Sequence, residues 1–100
     1  MPELLAELKS RLRITWDDEN EELERIINRA KSYFEKLTSK AFSFELDAWE
    51  TELLLERCRY VYNNAADEYE KNFAYELKRL IMHVALEKRA DADNGQQENS

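Results

Sequence analysis

The sequence predicts an all-α fold, a small bundle of about four helices with a disordered C-terminal tail. Three observations point there. One glycine and one proline in 100 residues leave little material for the tight turns that sheets need. Apolar residues recur at three- and four-residue spacing through most of the chain. Charged residues make up 37%, which suits helices with one solvated face. The length is enough for one domain. It divides into a helical part, residues 1–89, and a flexible polar tail, residues 90–100.

The first helix is expected over residues 3–12. Pro2 suits the opening turn, where its missing N–H has no role, and Glu3 faces the positive end of the helix dipole. Leu4, Leu5, Leu8 and Leu12 form one stripe. A helix this short is marginal alone, so it must dock on the rest of the chain. Residues 13–17 form a link in which Ile14 and Trp16 stand outside any period. The second helix starts near Asp17 or Asp18, either of which can cap its free N–H groups. It runs to about Ser39, burying Leu23, Ile26, Ile27, Ala30, Phe34 and Leu37. Glu21 and Arg25 pair across one turn.

Residues 40–47 break the period and read as an extended link or short turn carrying Phe42 and Phe44, whose rings favour packing under the helices and are otherwise the best exposed apolar contacts. The third helix begins near Asp47 as its cap. Trp49, Leu53, Leu54, Cys58, Val61 and Ala65 then hold helical spacing. Asn63, Asn64 and Asp67 are weak helix formers, yet Tyr69, Phe73, Leu77, Leu80, Ile81 and Val84 keep nearly the same phase. One long kinked helix and two packed segments meeting near residues 63–72 both fit, and the second keeps the molecule smaller. Residues 90–100, ADADNGQQENS, lack apolar spacing and form the polar tail.

Charge and residue types exclude several kinds of chemistry. The net charge of −7 disfavours a sequence-independent grip on phosphate or anionic lipid. Arg57 and Arg59 around Cys58, and Lys78 with Arg79, are separate basic pairs with acids between them, so no recognition helix stands out. Nucleophilic catalysis needs a base beside Ser or Cys, and the sole histidine, His83, has no such context. Cys58 sits at core spacing as a small buried group, and with one cysteine no internal disulfide forms. His83 and Glu87 share a helix face, but two ligands do not hold zinc. Gly95, the single glycine, rules out a phosphate-binding loop. The expectation is no catalytic residue, no metal and no cofactor.

No apolar run approaches the ~18 residues of a membrane span. The opening MPELLAELKS lacks a basic segment ahead of an apolar one, so no signal peptide is expected and the chain is placed in the cytoplasm of its host cell. The remaining signal is aromatic. Tyr60, Tyr62, Tyr69, Phe73 and Tyr75 crowd the second half, as suits either an aromatic core or a contact surface. Trp16, Phe42, Phe44, Tyr60, Tyr62 and Tyr75 are the candidate interface residues.

The order of these segments resembles a known family. A leading helix, LLAELKSRLRI, runs into an acidic loop, TWDDENEE, and then an amphipathic helix, LERIINRAKSYFEKLT. After the apolar link comes LLLERCRYVYNNAADEYEKNFAYELKRLIM. This resembles the small head–tail connector, or head-completion, proteins of tailed phages and prophages. Leu5, Lys9, Arg11, Leu12, Ile14, Asp17, Asp18, Leu23, Ile27 and Ala30 match the family's opening pattern with small shifts. Arg59, Tyr60, Val61, Tyr62, Asn63, Asn64 and Ala65, then Glu76, Leu77 and Leu80, match its later half. The likeness covers about residues 4–86 and carries no site residues over.

The resemblance implies a structural, non-enzymatic role in DNA packaging and virion assembly. The chain would form a ring of about a dozen copies under the portal protein, extend the DNA channel and dock the tail-side connector proteins. It would be found at the head–tail junction of the virion. No membrane partner and no sequence-specific nucleic-acid binding are expected, only passive contact with packaged DNA. From a different class, a small acidic helical adaptor or inhibitor of a soluble protein also fits the composition. Stoichiometry separates the two.

Overall fold

In a computed structural model, the backbone is described for residues 2–99 and the side chains for residues 3–91. Five helices follow one another: α1 (Pro2–Leu12), α2 (Asn20–Thr38), α3 (Trp49–Tyr62), α4 (Ala66–Asn72) and α5 (Ala74–Asn99). There is no strand among the described residues. The fold is all-α, as the composition predicted. The fifth helix arises because α4 and α5 are one helical run kinked at Phe73. The ladder continues through the kink, with the Phe73 N–H on the Tyr69 carbonyl and the Leu77 N–H on the Phe73 carbonyl, each at 2.9 Å.

The true break lies at residues 63–65, as the run of weak helix formers suggested. The Ala65 N–H bonds the Tyr60 carbonyl at 2.8 Å and the Asn64 N–H bonds the Val61 carbonyl at 3.0 Å. Asn64 sits at φ 59°, so this is a Schellman stop. The same motif ends α1: the Ile14 N–H reaches the Lys9 carbonyl at 2.9 Å, the Arg13 N–H reaches Ser10 at 3.2 Å, and Arg13 has φ 61°. Ile14 thereby turns back into the core. Helix α2 ends on Ser39, also left-handed at φ 61°. With a single glycine available, the chain stops three helices on residues that carry a Cβ and adopt αL at a cost.

Helix α3 is the hub. It packs against α1, α2 and α4, while α5 packs against α2 and α4. The core joins Leu4 and Leu8 of α1, Leu23, Ile26, Ile27 and Phe34 of α2, Leu53, Leu54, Leu55 and Cys58 of α3, Tyr69 of α4, and Leu77 and Leu80 of α5. Three consecutive buried leucines show that α3 is enclosed on most sides. Beyond Val84 no described residue of α5 is buried, and α5 meets the body there through polar contacts of Glu87 and Lys88. Its backbone continues as helix to Asn99, and the expected tail lies largely outside the residues whose side chains are described.

Two expected caps are corrected. Neither Asp17 nor Asp18 caps α2, whose boundary residue is Glu19 with no side-chain cap bond. The Asp17 carboxylate is drawn instead to Lys9 Nζ at 2.7 Å, which holds the link onto α1. Nor does Asp47 cap α3; Ala48 occupies that position in extended geometry. The Thr51 hydroxyl donates to the Glu45 carbonyl and fixes the turn that leads into α3. Trp49 and Ile81, which share the apolar period of their helices, are exposed. Trp49 starts α3 at the rim of the bundle, and Ile81 lies off the side of α5 that meets α2.

Candidate assembly surface

The second-half aromatics split between core and surface. Tyr69 is fully buried, its ring stacked on Phe73 at 4.8 Å and its hydroxyl donating to the Leu53 carbonyl at 2.8 Å. Burial pushes that hydroxyl's pKa far up. Tyr60 meets Tyr69 and Phe73 edge-on at 5.6 and 5.8 Å and is half-buried, accepting a hydrogen bond from Asn72 Nδ2 at 3.1 Å. The Arg57 guanidinium lies 3.6 Å from the centroid of Tyr33, so this basic residue packs within the body rather than facing a phosphate.

Of the six candidate interface residues, Phe44 takes the packed place that the link also allowed and offers no surface to a partner. It is buried against Phe34 and Phe42, at ring distances of 6.2 and 5.5 Å, because its left-handed backbone (φ 54°) turns the ring inward. Phe42 is half-buried beneath Lys40, whose ammonium lies 5.1 Å from its centroid. Trp16 and Tyr62 come together at one end of the bundle through Glu19. The indole Nε1–H donates to Glu19 Oε2 at 2.7 Å, and the Tyr62 hydroxyl donates to Oε1 at 2.9 Å. Donation to a carboxylate favours the neutral phenol, so the Tyr62 pKa is raised. Trp16 stays half exposed on this acidic corner.

Tyr75 is 68% exposed and belongs to a surface that residue-by-residue inspection missed. Met82 and Leu86, also on α5, are 63% and 61% exposed. Residues 75, 79, 82 and 86 fall within one narrow stripe at 100° per residue, opposite the buried Leu77, Leu80 and Val84. Helix α5 is therefore apolar on two faces, whereas a surface helix ordinarily has one. Trp49 flanks the stripe. Arg79 lies between the rings, 5.7 Å from the Trp49 centroid and 5.8 Å from that of Tyr75. His83 meets Trp49 edge-on at 6.5 Å and Glu87 at 3.6 Å. The out-of-phase spacing of Tyr75, Met82 and Leu86 was the signal that would have revealed it.

The rest of the electrostatics serves packing. Arg11 forks onto Glu52, Nη1 to Oε2 at 2.8 Å and Nη2 to Oε1, and lies near Glu7 and Glu56. This joins α1 to α3, raises the Arg11 pKa and lowers that of Glu52. Lys40 bonds Glu87 at 2.9 Å and Lys88 Nζ donates to the Ser39 carbonyl at 2.7 Å, tying α5 to the end of α2. Burial pushes the Cys58 thiol up to about 12. No group of three or more metal-ligating side chains exists among the described residues. No described helix is long and apolar enough to cross a membrane.

A model of the family described as "Phage gp6-like head-tail connector protein" matches residues 2–99. The chain belongs to this family. The match spans nearly the whole chain and extends the resemblance read from residues 4–86 to both ends. No curated protein and no solved structure gives a match. Members of a head–tail connector family act as structural parts of a virion's head–tail junction.

Proposed function

We propose that this connector assembles as a closed ring beneath the portal protein, extends the channel through which DNA passes, and offers a platform to the next tail component. Six candidate residues from the sequence enter this reading in part. Trp16, Tyr62 and Tyr75 lie where a neighbour can reach them, Phe42 and Tyr60 contribute edges, and Phe44 supports the loop from within. The role is structural and asks for no cofactor. Family membership across residues 2–99 is the observation that carries the reading.

Physical chemistry supports it in two ways. Repeated copies in a closed ring need two different contact surfaces on each subunit, and the body carries aromatic groups at two separate places, Trp16 with Tyr62 and Trp49 with Tyr75. A chain of net charge −7 around a channel repels the phosphate backbone and lets it slide. The test is a phage or prophage with this gene deleted. Full heads that leak DNA and do not join tails, rescued by added purified protein, are the expected result. Normal tailed particles from the deletion, or a dedicated soluble partner with one copy bound, would contradict the proposal and favour an adaptor.

A further inference from the structure

We infer that the outer face of α5 in one copy docks on the acidic corner at the start of α2 in the next, with Arg79 as the anchoring cation. This inference rests on the ring reading and names the surface that builds it. The donor patch is Trp49, Tyr75, Arg79, Met82 and Leu86. Arg79 is held between two aromatic rings, at 5.7 and 5.8 Å, and forms no ion pair among the described residues. Tryptophan, tyrosine and arginine gathered around exposed apolar side chains are what strong interface anchors are made of. A guanidinium fixed in this way is prepared for a carboxylate.

The chain itself supplies that carboxylate at a place its own Arg79 cannot reach. Residues 17–24, DDENEELE, contain six acids in eight positions. Lys9 and Arg25 neutralise part of this charge, but Asp18 and Glu24 form no ion pair among the described residues, and Glu21 has only a loose 3.7 Å contact with Arg25 and a side chain 91% exposed. The corner sits at the C-terminal end of α3, where Tyr62 bonds Glu19, whereas Trp49 opens the N-terminal end. Fourteen residues of helix separate the two ends by about 20 Å. A cationic, apolar face and an acidic face displaced along one subunit describe a head-to-tail contact, which repeats from copy to copy and closes when the rotation allows. Two α5 faces meeting symmetrically would instead leave Arg79 away from the acidic corner.

The double variant Met82→Cys/Glu21→Cys tests the contact on full-length protein assembled on portal-bearing heads. The native Cys58 is buried and stays silent. Mild oxidation is expected to give a ladder of covalent dimers, trimers and higher forms that needs both new cysteines. Arg79→Glu, an exposed change that leaves the helical circular dichroism intact, is expected to lower bound copies at least tenfold, with partial recovery when Glu21→Lys and Glu22→Lys are added. Dimers from Met82→Cys alone, cross-links to the portal or a tail protein without a ladder, or full occupancy of Arg79→Glu would each overturn the inference while wild-type occupancy leaves the ring reading standing. Failure of the wild type to bind the heads removes both.

Discussion

Tyr69 is the side chain on which the short helix α4 depends, and its replacement gives a worked test of the packing. Helix α4 has seven residues, too few to hold its shape alone. Tyr69 is its one buried residue, stacked on Phe73 and hydrogen-bonded to the Leu53 carbonyl of α3. Tyr69→Phe keeps the ring and removes one buried hydrogen bond. The Leu53 carbonyl retains its helical partner, so the cost falls near the usual net value of about 1 kcal/mol. In a domain of this size that lowers the melting temperature by about 4–8 °C. Tyr69→Ala also empties the ring's space and costs about 3–5 kcal/mol, a large share of the about 5–15 kcal/mol that holds a typical domain folded. Thermal and urea unfolding followed by circular dichroism read both. A Tyr69→Ala cost no greater than the about 0.5 kcal/mol of an ordinary surface change would refute the placement of this ring in the core.

Other expectations follow from the helix ends and the buried or paired groups. Ser39→Gly relieves a left-handed non-glycine residue and should raise stability by about 1 kcal/mol, seen as a higher urea midpoint at unchanged slope; a lower midpoint would mean that αL is not the state of Ser39. Arg11→Gln should cost about 1 kcal/mol at neutral pH and low salt, because it breaks the bond from α1 to Glu52. Glu52 is lowered from 4.5 in the folded chain, so its contribution is complete above that value and disappears as pH falls through the depressed pKa. The acid limb of the stability profile should therefore be shallower in Arg11→Gln, and an identical limb would exclude this pair as its source. The buried Cys58 thiol, pushed from 9.0 to about 12, should resist a thiol reagent at pH 8 until the protein unfolds. The unfolded chain ionises first, so Cys58 should also make stability decline as pH rises above 9.0, and the slope should be smaller in Cys58→Ala, where the raised tyrosines still contribute.

Much of the fold was legible because helical periodicity is a strong signal. The stripes Leu4–Leu8 and Leu23–Phe34 and the late set Tyr69, Leu77, Leu80 and Val84 all enter the core. The break near residues 63–65 was legible from its asparagines. Period alone reports phase, however, and not what lies opposite. Helix α3 is enclosed on most sides, so its stripe could not show that Trp49, one turn earlier, projects past the bundle. The caps were misread because Asp17 had a better partner in Lys9 than the free N–H groups of α2. A scarcity of glycine correctly implied few turns, but it hid helix stops placed on Arg13, Ser39 and Asn64.

The candidate surface was less legible for a related reason. Tyr62 and Tyr75 were singled out by aromatic density, which cannot separate the buried Tyr69 from its exposed neighbours. Packing and exposure both stayed open for Phe44 because nothing in the alternation of KAFSFELD encodes the positive φ that turns its ring inward. Met82, Leu86 and Arg79 looked like ordinary helix residues until α5 was seen to carry apolar side chains on its outer face as well as its buried one.

Occupancy on portal-bearing, DNA-filled capsids of the same phage or prophage tests the central claim most directly. Purified protein is mixed with the particles, the particles are sedimented, and bound copies are counted. The account predicts saturable binding at the portal vertex in one fixed number of copies per particle, as one closed ring requires, with retention of the packaged DNA. Protein that remains in the supernatant at saturating concentration, or binds over the whole shell without a fixed number, would contradict it.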